Sequence, residues 1–117
     1  MNFDEITNKI KQFRDARDWK QFHNPKDMAI AISVEASELL EHFLWKSKEQ
    51  VEMRVVEKKA EIREEIADVA IYLFELADAL DINLVEAMED KLAKNAANYP
   101  VEKAKGSNKK YTELKLQ

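Results

Sequence analysis

The chain has no cysteine, one glycine and two prolines among its 117 residues. Without cysteine it can form no disulfide and no zinc–thiolate site, and it has no thiol nucleophile. Glycine and proline interrupt regular structure, so their scarcity beside abundant Ala, Glu, Lys and Leu favours helices. We therefore predict an all-α protein.

Long apolar runs and a strong positive charge are also lacking. No run approaches the roughly 20 apolar residues that span a bilayer, and we do not expect the N-terminal segment Met1–Glu5 to be a signal peptide. The net charge of −4 disfavours binding to a nucleic acid polymer. We expect a cytoplasmic protein that binds neither membrane nor nucleic acid polymer.

Apolar residues recur at helical spacing along most of the chain. Asn24-Pro25 predicts a helix start, with Asn as the N-cap and Pro at the first position. The polar stretch 51–59 could break the third segment into two helices. A bundle of four to five helices is therefore expected, with segments at 3–17, 25–45, 47–81 and 84–98.

The expected domain organisation is one helical domain at 1–100 and a basic tail at 101–117. The tail has five Lys and two Glu, a local charge of +3, and it contains the single glycine. The second segment (25–45) and the last segment (84–98) have more apolar positions than a chain of this size can bury alone. We therefore predict a homo-oligomer, either a dimer or a tetramer.

Two pairs of acidic residues stand on half-apolar helix faces: Glu35 with Glu38, and Glu65 with Asp68. The members of each pair are three residues apart, so they share one face of a helix. No Lys or Arg stands between them in these stripes, and burying unpaired carboxylates is costly. Four carboxylates from two neighbouring helices suit a hard divalent cation, either Mg²⁺ or Mn²⁺.

Other interpretations of the acid pairs are available. Acids at this spacing are common on solvated helix edges. A di-iron bundle would use Glu-x-x-His repeats, but His42 stands four residues after Glu38 and no His follows the second pair. Since Mg²⁺ usually binds few protein carboxylates together with water and phosphates, the pattern also indicates a phosphate-bearing substrate.

Several short motifs follow one another between residue 14 and about residue 113. They are Arg17–His23, Glu35–Leu39 with Trp45-Lys46, Glu65–Leu73, Lys91–Asn95 with Tyr99–Val101, and Gly106 with Lys110-Tyr111. This ordered set resembles the MazG-like all-α nucleoside triphosphate pyrophosphohydrolases, and is most similar to their dCTP pyrophosphatase branch. One departure is Ser37, where close relatives often have glycine.

The resemblance implies an Mg²⁺-dependent hydrolase, with Mn²⁺ as a possible substitute, that converts a dNTP to dNMP and pyrophosphate. The substrate would be dCTP or a related or modified nucleotide, and the role would be nucleotide-pool housecleaning. Relatives form dimers or tetramers with sites shared between subunits. The implied metal ligands are Glu35, Glu38, Glu65 and Asp68, with Glu38 nearest the attacking water. The implied substrate-binding residues are Trp19, His23, Trp45, Tyr72, Lys91, Asn95 and Tyr99.

Plainer interpretations stay open for several of these residues. Trp19 and Trp45 could be packing anchors, His23 a solvated loop residue, and the Lys91–Tyr99 face a wet helix surface. The alternative function is a non-catalytic helical interaction or regulatory module. Trp45 and the pair Trp19 and His23 also flank opposite ends of the second helix, about 30 Å apart. A neighbouring subunit could bring them together.

Overall fold

The computed structural model describes residues 1–115, which form seven α-helices and no strand. The all-α prediction is confirmed, and the five longer helices correspond to the expected segments. Two further one-turn helices lie in the segment expected to be a tail. The helices are α1 (Phe3–Ala16), α2 (Pro25–Glu41), α3 (Lys48–Glu57), α4 (Lys59–Ala79), α5 (Leu84–Asn98), α6 (Val101–Ala104) and α7 (Tyr111–Leu114).

Side-chain caps set the starts of the longer helices, as the sequence predicts. The Asn24 side chain accepts a hydrogen bond from the Asp27 N–H, and Pro25 opens α2. Ser47 and Gln50 form a capping box at the start of α3. Each such cap stabilises its helix by about 1 kcal/mol. The break expected within 51–59 is also present, at Lys58 between α3 and α4.

The second helix ends earlier than expected, at Glu41 instead of Trp45. The N–H groups of His42 and Phe43 bond back to the carbonyls three residues earlier, at 3.3 and 2.9 Å, which tightens the last turn. Trp45 then has φ 61°, a left-handed conformation that cannot continue a right-handed helix. The expectation of a helix through Trp45 is therefore wrong by one turn.

The described chain divides into two compact units, one from Met1 to Ile82 and one that begins at Asn83. In the first unit α4 packs mainly against α2, with α1 and α3 also against α4. Its buried apolar residues are Ile10, Met28 and Ala77. The adjacency of the two acid-bearing helices, expected from the sequence, is therefore present.

The second unit contains α5, α6 and α7. Asn83 caps α5 by accepting a hydrogen bond from the Glu86 N–H at 3.1 Å. The ring of Tyr99 meets that of Tyr111 edge-on, with centroids 6.0 Å apart. The division of the sequence into 1–100 and 101–117 stays a prediction.

Much apolar surface in the first unit is left uncovered. On α2, the apolar residues Ile30, Val34 and Leu40 are 52%, 50% and 60% exposed. Singly exposed apolar residues are ordinary, but several large ones on a single helix are unusual for a monomer.

Along the described residues, no helix is both long enough and apolar enough to cross a membrane.

Candidate functional site

Packing of α2 against α4 brings the two acid pairs to one place. Burial raises the pKa of Glu35, and a hydrogen bond with Glu38 raises it further. The negative charges of Glu38, Asp68 and Glu65 act in the same direction. A single carboxyl therefore senses all three of the others, so the structure brings together the four acids that the sequence singled out.

The donor set at this place fits a hard divalent cation. It consists of carboxylate oxygens, which Mg²⁺ and Mn²⁺ prefer, and Glu35 Oε2 is buried without a hydrogen-bond partner. Within residues 1–115, however, no three His, Cys, Asp or Glu side chains are arranged to hold an ion as they stand. Glu38 and Asp68 are exposed, whereas Glu35 and Glu65 are half-buried. The metal site stays a prediction.

A cavity of about 460 Å³ lies next to the acids, within the first unit. This volume falls in the range typical of small-molecule sites. Aromatic and aliphatic side chains form much of its wall, and Glu35 and Asp68 contribute carboxylates to it. The lining residues are Lys9, Ile10, Phe13, Trp19, His23, Glu35, Asp68, Ile71, Tyr72 and Glu75. Three predicted substrate-binding residues, Trp19, His23 and Tyr72, are therefore on one cavity.

The connector between α1 and α2 positions Trp19 and His23. Asp18 adopts φ 55°, a left-handed conformation that Asp tolerates better than most residues. The chain then makes a 3-10 turn at Lys20–Phe22 before the Asn24 cap. The Trp19 ring packs edge-on against Phe13 at 5.7 Å. A short, aromatic connector thus lines the cavity instead of crossing open surface.

The remaining predicted substrate-binding residues do not line this cavity. Trp45 is 92% exposed and left-handed, which is a strained conformation for a bulky residue. Lys91 and Asn95 lie on α5, and Tyr99 is its C-cap, donating its N–H to the Asn95 carbonyl at 2.8 Å. Their roles in substrate binding stay predictions.

Glu75 is a cavity residue that sequence reasoning missed. It is only 5% exposed, and its Oε2 lies 3.5 Å from His23 Nδ1. Burial raises the pKa of Glu75, while the charges of His23 and Arg14 lower it. The signal was available, because Glu75 stands three residues after Tyr72 and seven after Asp68, on the same face of α4.

His42 was weighed in the sequence only as a candidate iron ligand, and its actual partner was missed. Its Nε2 lies 2.6 Å from Glu65 Oε2, and its ring is buried. The other ring nitrogen, Nδ1, is buried without a hydrogen-bond partner. His42, the C-cap of α2, therefore contacts Glu65, one of the four acids.

A buried arginine, also missed, joins α1 to α4. Arg14 is 3% exposed and donates from Nη1 to Asp78 Oδ2 at 3.2 Å and from Nε to Asp15 Oδ1 at 2.9 Å. Lys11 adds a second contact to Asp78 at 3.4 Å. Because α1 carries Ile10 and Phe13, these ion pairs hold one wall of the cavity against the helix that carries Asp68 and Glu75.

The MazG-like family matches residues 30–114, which cover both acid pairs. This chain belongs to the MazG-like family. The resemblance stated from the sequence motifs is confirmed.

Relatives of known name are similar over most of the chain. The dCTP pyrophosphatase 1 proteins of Mus musculus and Rattus norvegicus are 38% and 39% identical to it over 105 residues, and that of Homo sapiens is 37% identical. These alignments cover 88% of this chain but 62% of the relatives' length.

A solved structure is also similar. The crystal structure of a pyrophosphatase from Archaeoglobus fulgidus matches with a TM-score of 0.79 and 43% sequence identity. The match covers 83% of this chain and 91% of the other. The helical fold of this family member is therefore shared with a protein described as a pyrophosphatase.

Proposed function

We propose that this MazG-like protein is a nucleoside triphosphate pyrophosphohydrolase. It hydrolyses a dNTP, with dCTP or a related or modified nucleotide as the preferred substrate, to dNMP and pyrophosphate, and so clears nucleotides from the pool. The observation that carries the proposal is one cavity whose wall combines two of the four clustered acids with aromatic side chains. The names of the relatives support the same reaction.

The acid cluster would hold Mg²⁺ through Glu35, Glu38, Glu65 and Asp68. When bound, the ion supplies charge neutralisation for the triphosphate and acidifies water. Without it, the cluster and the triphosphate would repel each other. Glu38 is exposed and has an oxygen free to take the proton of the attacking water. We assign it the role of general base.

The aromatic part of the cavity would hold the nucleoside. Trp19 and Tyr72 provide ring faces or edges for the base and sugar, and stacking on such a ring contributes about 1–3 kcal/mol. The apolar walls exclude water from one side of the substrate, which strengthens the polar contacts made there. The phosphates would then extend toward Glu35 and Asp68 on the same wall.

We also propose that the active protein is a homo-oligomer. The exposed apolar residues of α2, which are Ile30, Val34 and Leu40, are ones that a second copy would cover. Trp45 is exposed in its own chain. It would then complete a neighbour's nucleotide site. Shared sites would tie base recognition to assembly.

The direct test is a panel of dNTPs and NTPs incubated with the protein and Mg²⁺, with chromatography of the products. We expect monophosphate and pyrophosphate in equal amounts, highest from dCTP or a related nucleotide, and none when EDTA replaces Mg²⁺. Glu38→Gln on α2 should abolish turnover, whereas Glu61→Gln, an exposed change on α4, should not. The absence of hydrolysis across the whole panel by the folded protein would favour the non-catalytic alternative.

A further inference from the structure

One cavity residue has no role in the reaction described so far. Glu75 is buried on α4 and lines the cavity, yet no hydrogen bond joins its carboxyl to another residue of the described chain. Its nearest cationic partner, His23 Nδ1, is 3.5 Å away, longer than an ordinary N–H···O hydrogen bond. That nitrogen is itself buried without a partner.

A buried carboxyl in this state needs an explanation. Buried polar groups are normally hydrogen-bonded, and a charged one without a donor destabilises the fold. Arg14 adds a favourable charge, but its hydrogen bonds go to Asp15 and Asp78. Since a leucine of similar size would fit an apolar wall without this cost, Glu75 is better explained by a donor that arrives from the cavity.

The position of Glu75 along the cavity identifies the part of the ligand that would reach it. Glu75 stands seven residues beyond Asp68 on α4, about 10 Å along the helix axis. That separation is comparable to the length of a nucleoside. With the phosphates at the acid cluster, the far edge of the base would lie near Glu75 and His23.

We propose that Glu75 is a specificity-determining residue that accepts a hydrogen bond from the exocyclic amino group of cytosine. This inference rests on the proposed function and names how the same site chooses its base. A carboxylate can only accept hydrogen bonds, and cytosine presents its 4-amino group as a donor. Uracil and thymine carry a carbonyl oxygen at that position, which a carboxylate repels, so both are disfavoured.

His23 supports this role by its place beside the carboxyl. Burial raises the pKa of Glu75, and the charges of His23 and Arg14 lower it. These two charges therefore favour the ionised form of Glu75. The connector that carries His23 also carries Trp19, so one short segment provides both a ring for the base and a neighbour for the carboxylate. His23 is thus a positioning residue for Glu75.

The test compares dCTP with dUTP on the full-length protein in Mg²⁺. Glu75→Gln keeps the shape of the side chain but can both accept and donate, so it can pair with either base. We expect the ratio of kcat/KM for dCTP to that for dUTP to fall by roughly 10- to 100-fold. Most of the change should come from faster use of dUTP. Glu61→Gln is the matched control and should keep the wild-type ratio.

A second variant separates recognition from folding. Glu75→Leu removes the acceptor and should raise KM for dCTP more than it lowers kcat. Because the buried carboxyl of Glu75 has no hydrogen bond in the free protein, the Tm of Glu75→Leu should be at least equal to that of the wild type. A lower Tm together with an unchanged dCTP/dUTP ratio in both variants would overturn the inference and assign Glu75 to the fold. That result, obtained with an enzyme that still hydrolyses dNTPs, would leave the proposed function standing.

Discussion

At the scale of single residues, what distinguishes this site is how each carboxylate is surrounded. Glu65 Oε2 lies 2.6 Å from Nε2 of the buried His42 ring. Glu35 and Glu65 each have a buried Oε2 without a hydrogen-bond partner, while Glu38 and Asp68 reach solvent. The cluster is therefore partly enclosed by protein and partly open to solvent.

The contact from His42 predicts an effect on metal binding. His42→Leu should leave Glu65 free to move and weaken Mg²⁺ binding by roughly 10- to 100-fold, as expected for a side chain that orients a metal ligand. The measurements are the Mg²⁺-dependent rise in Tm and the Mg²⁺ concentration for half-maximal hydrolysis. His42→Gln, which can still contact Glu65, should recover part of the loss. Equal Mg²⁺ dependence in wild type and His42→Leu would show that His42 packs against Glu65 without affecting metal binding.

The raised pKa of Glu75 predicts a pH dependence of stability. Since burial raises it, the folded state holds a proton more tightly than the unfolded state, and this residue's contribution to stability falls as pH rises through the folded pKa. Glu75→Gln should therefore have a higher Tm than the wild type at neutral pH. The difference should vanish on acidification, once Glu75 is protonated. Thermal unfolding across pH checks this, and a constant difference at every pH would contradict it.

At the scale of elements, the cavity depends on how α1 is held against α4. Arg14 is almost fully buried and reaches across to Asp78, while its other partner, Asp15, is 54% exposed. Breaking one side of a buried ion pair is costly, because the remaining charge stays buried. The pair therefore positions Ile10 and Phe13, and with them one wall of the cavity.

This arrangement predicts unequal effects of removing the two acids. Asp78→Ala should lower the free energy of unfolding by about 1–3 kcal/mol, less than for a fully buried pair because Asp78 is partly exposed. It should also raise KM more than it lowers kcat. Asp15→Ala should have a smaller effect on both, as for surface pairs. Urea unfolding and steady-state kinetics provide the comparison, and equal losses would argue against a role for the α1–α4 contact.

At the scale of the whole molecule, the exposed apolar residues of α2 and the exposed Trp45 are surfaces that the proposed assembly would cover. Ile30 and Val34 are exposed on the row of α2 that continues to Glu38, and Leu40 is exposed further round the same helix. The proposed assembly would cover these side chains next to the first acid pair.

The proposed assembly predicts an oligomer in solution. Light scattering should show a dimer or tetramer, and the double change Val34→Glu and Leu40→Glu should shift it to monomer. Lys26→Glu, an exposed change on the same helix, is the control. A protein that is monomeric at micromolar concentration would contradict the prediction.

Trp45 offers a kinetic test of whether the sites are shared between subunits. Trp45→Ala should raise KM by an amount equivalent to about 1–3 kcal/mol, the loss of one stacking ring, with a smaller change in kcat. If Trp45 serves a neighbouring site, mixed oligomers of Trp45→Ala and Glu38→Gln subunits should contain some sites with both residues intact. Their activity at low substrate should exceed that of either variant alone. Activity equal to the average of the separate variants would assign Trp45 to its own chain.

Local features of the sequence determined most of the helical architecture. Asn24 caps α2 as expected, and Ser47 and Asn83 cap α3 and α5, because a cap depends on residues within three positions of it. The acid pairs shared a face for the same reason, since spacing along a helix fixes direction around it. Ordered motifs also identified the family. Trp45 was placed wrongly inside a helix, because tryptophan as a residue type gives no signal of a left-handed backbone conformation.

Contacts between distant segments were decided only by the tertiary structure. His23 beside Glu75 and His42 against Glu65 join parts of the chain that no spacing rule relates. Helical periodicity tells which residues of one helix point the same way, but not which side chain of the next helix they meet. That depends on how α2 and the connector before it pack on α4. Helix packing therefore made the acid pairs one cluster and turned Glu75 from a charge in an apolar stripe into the wall of a cavity.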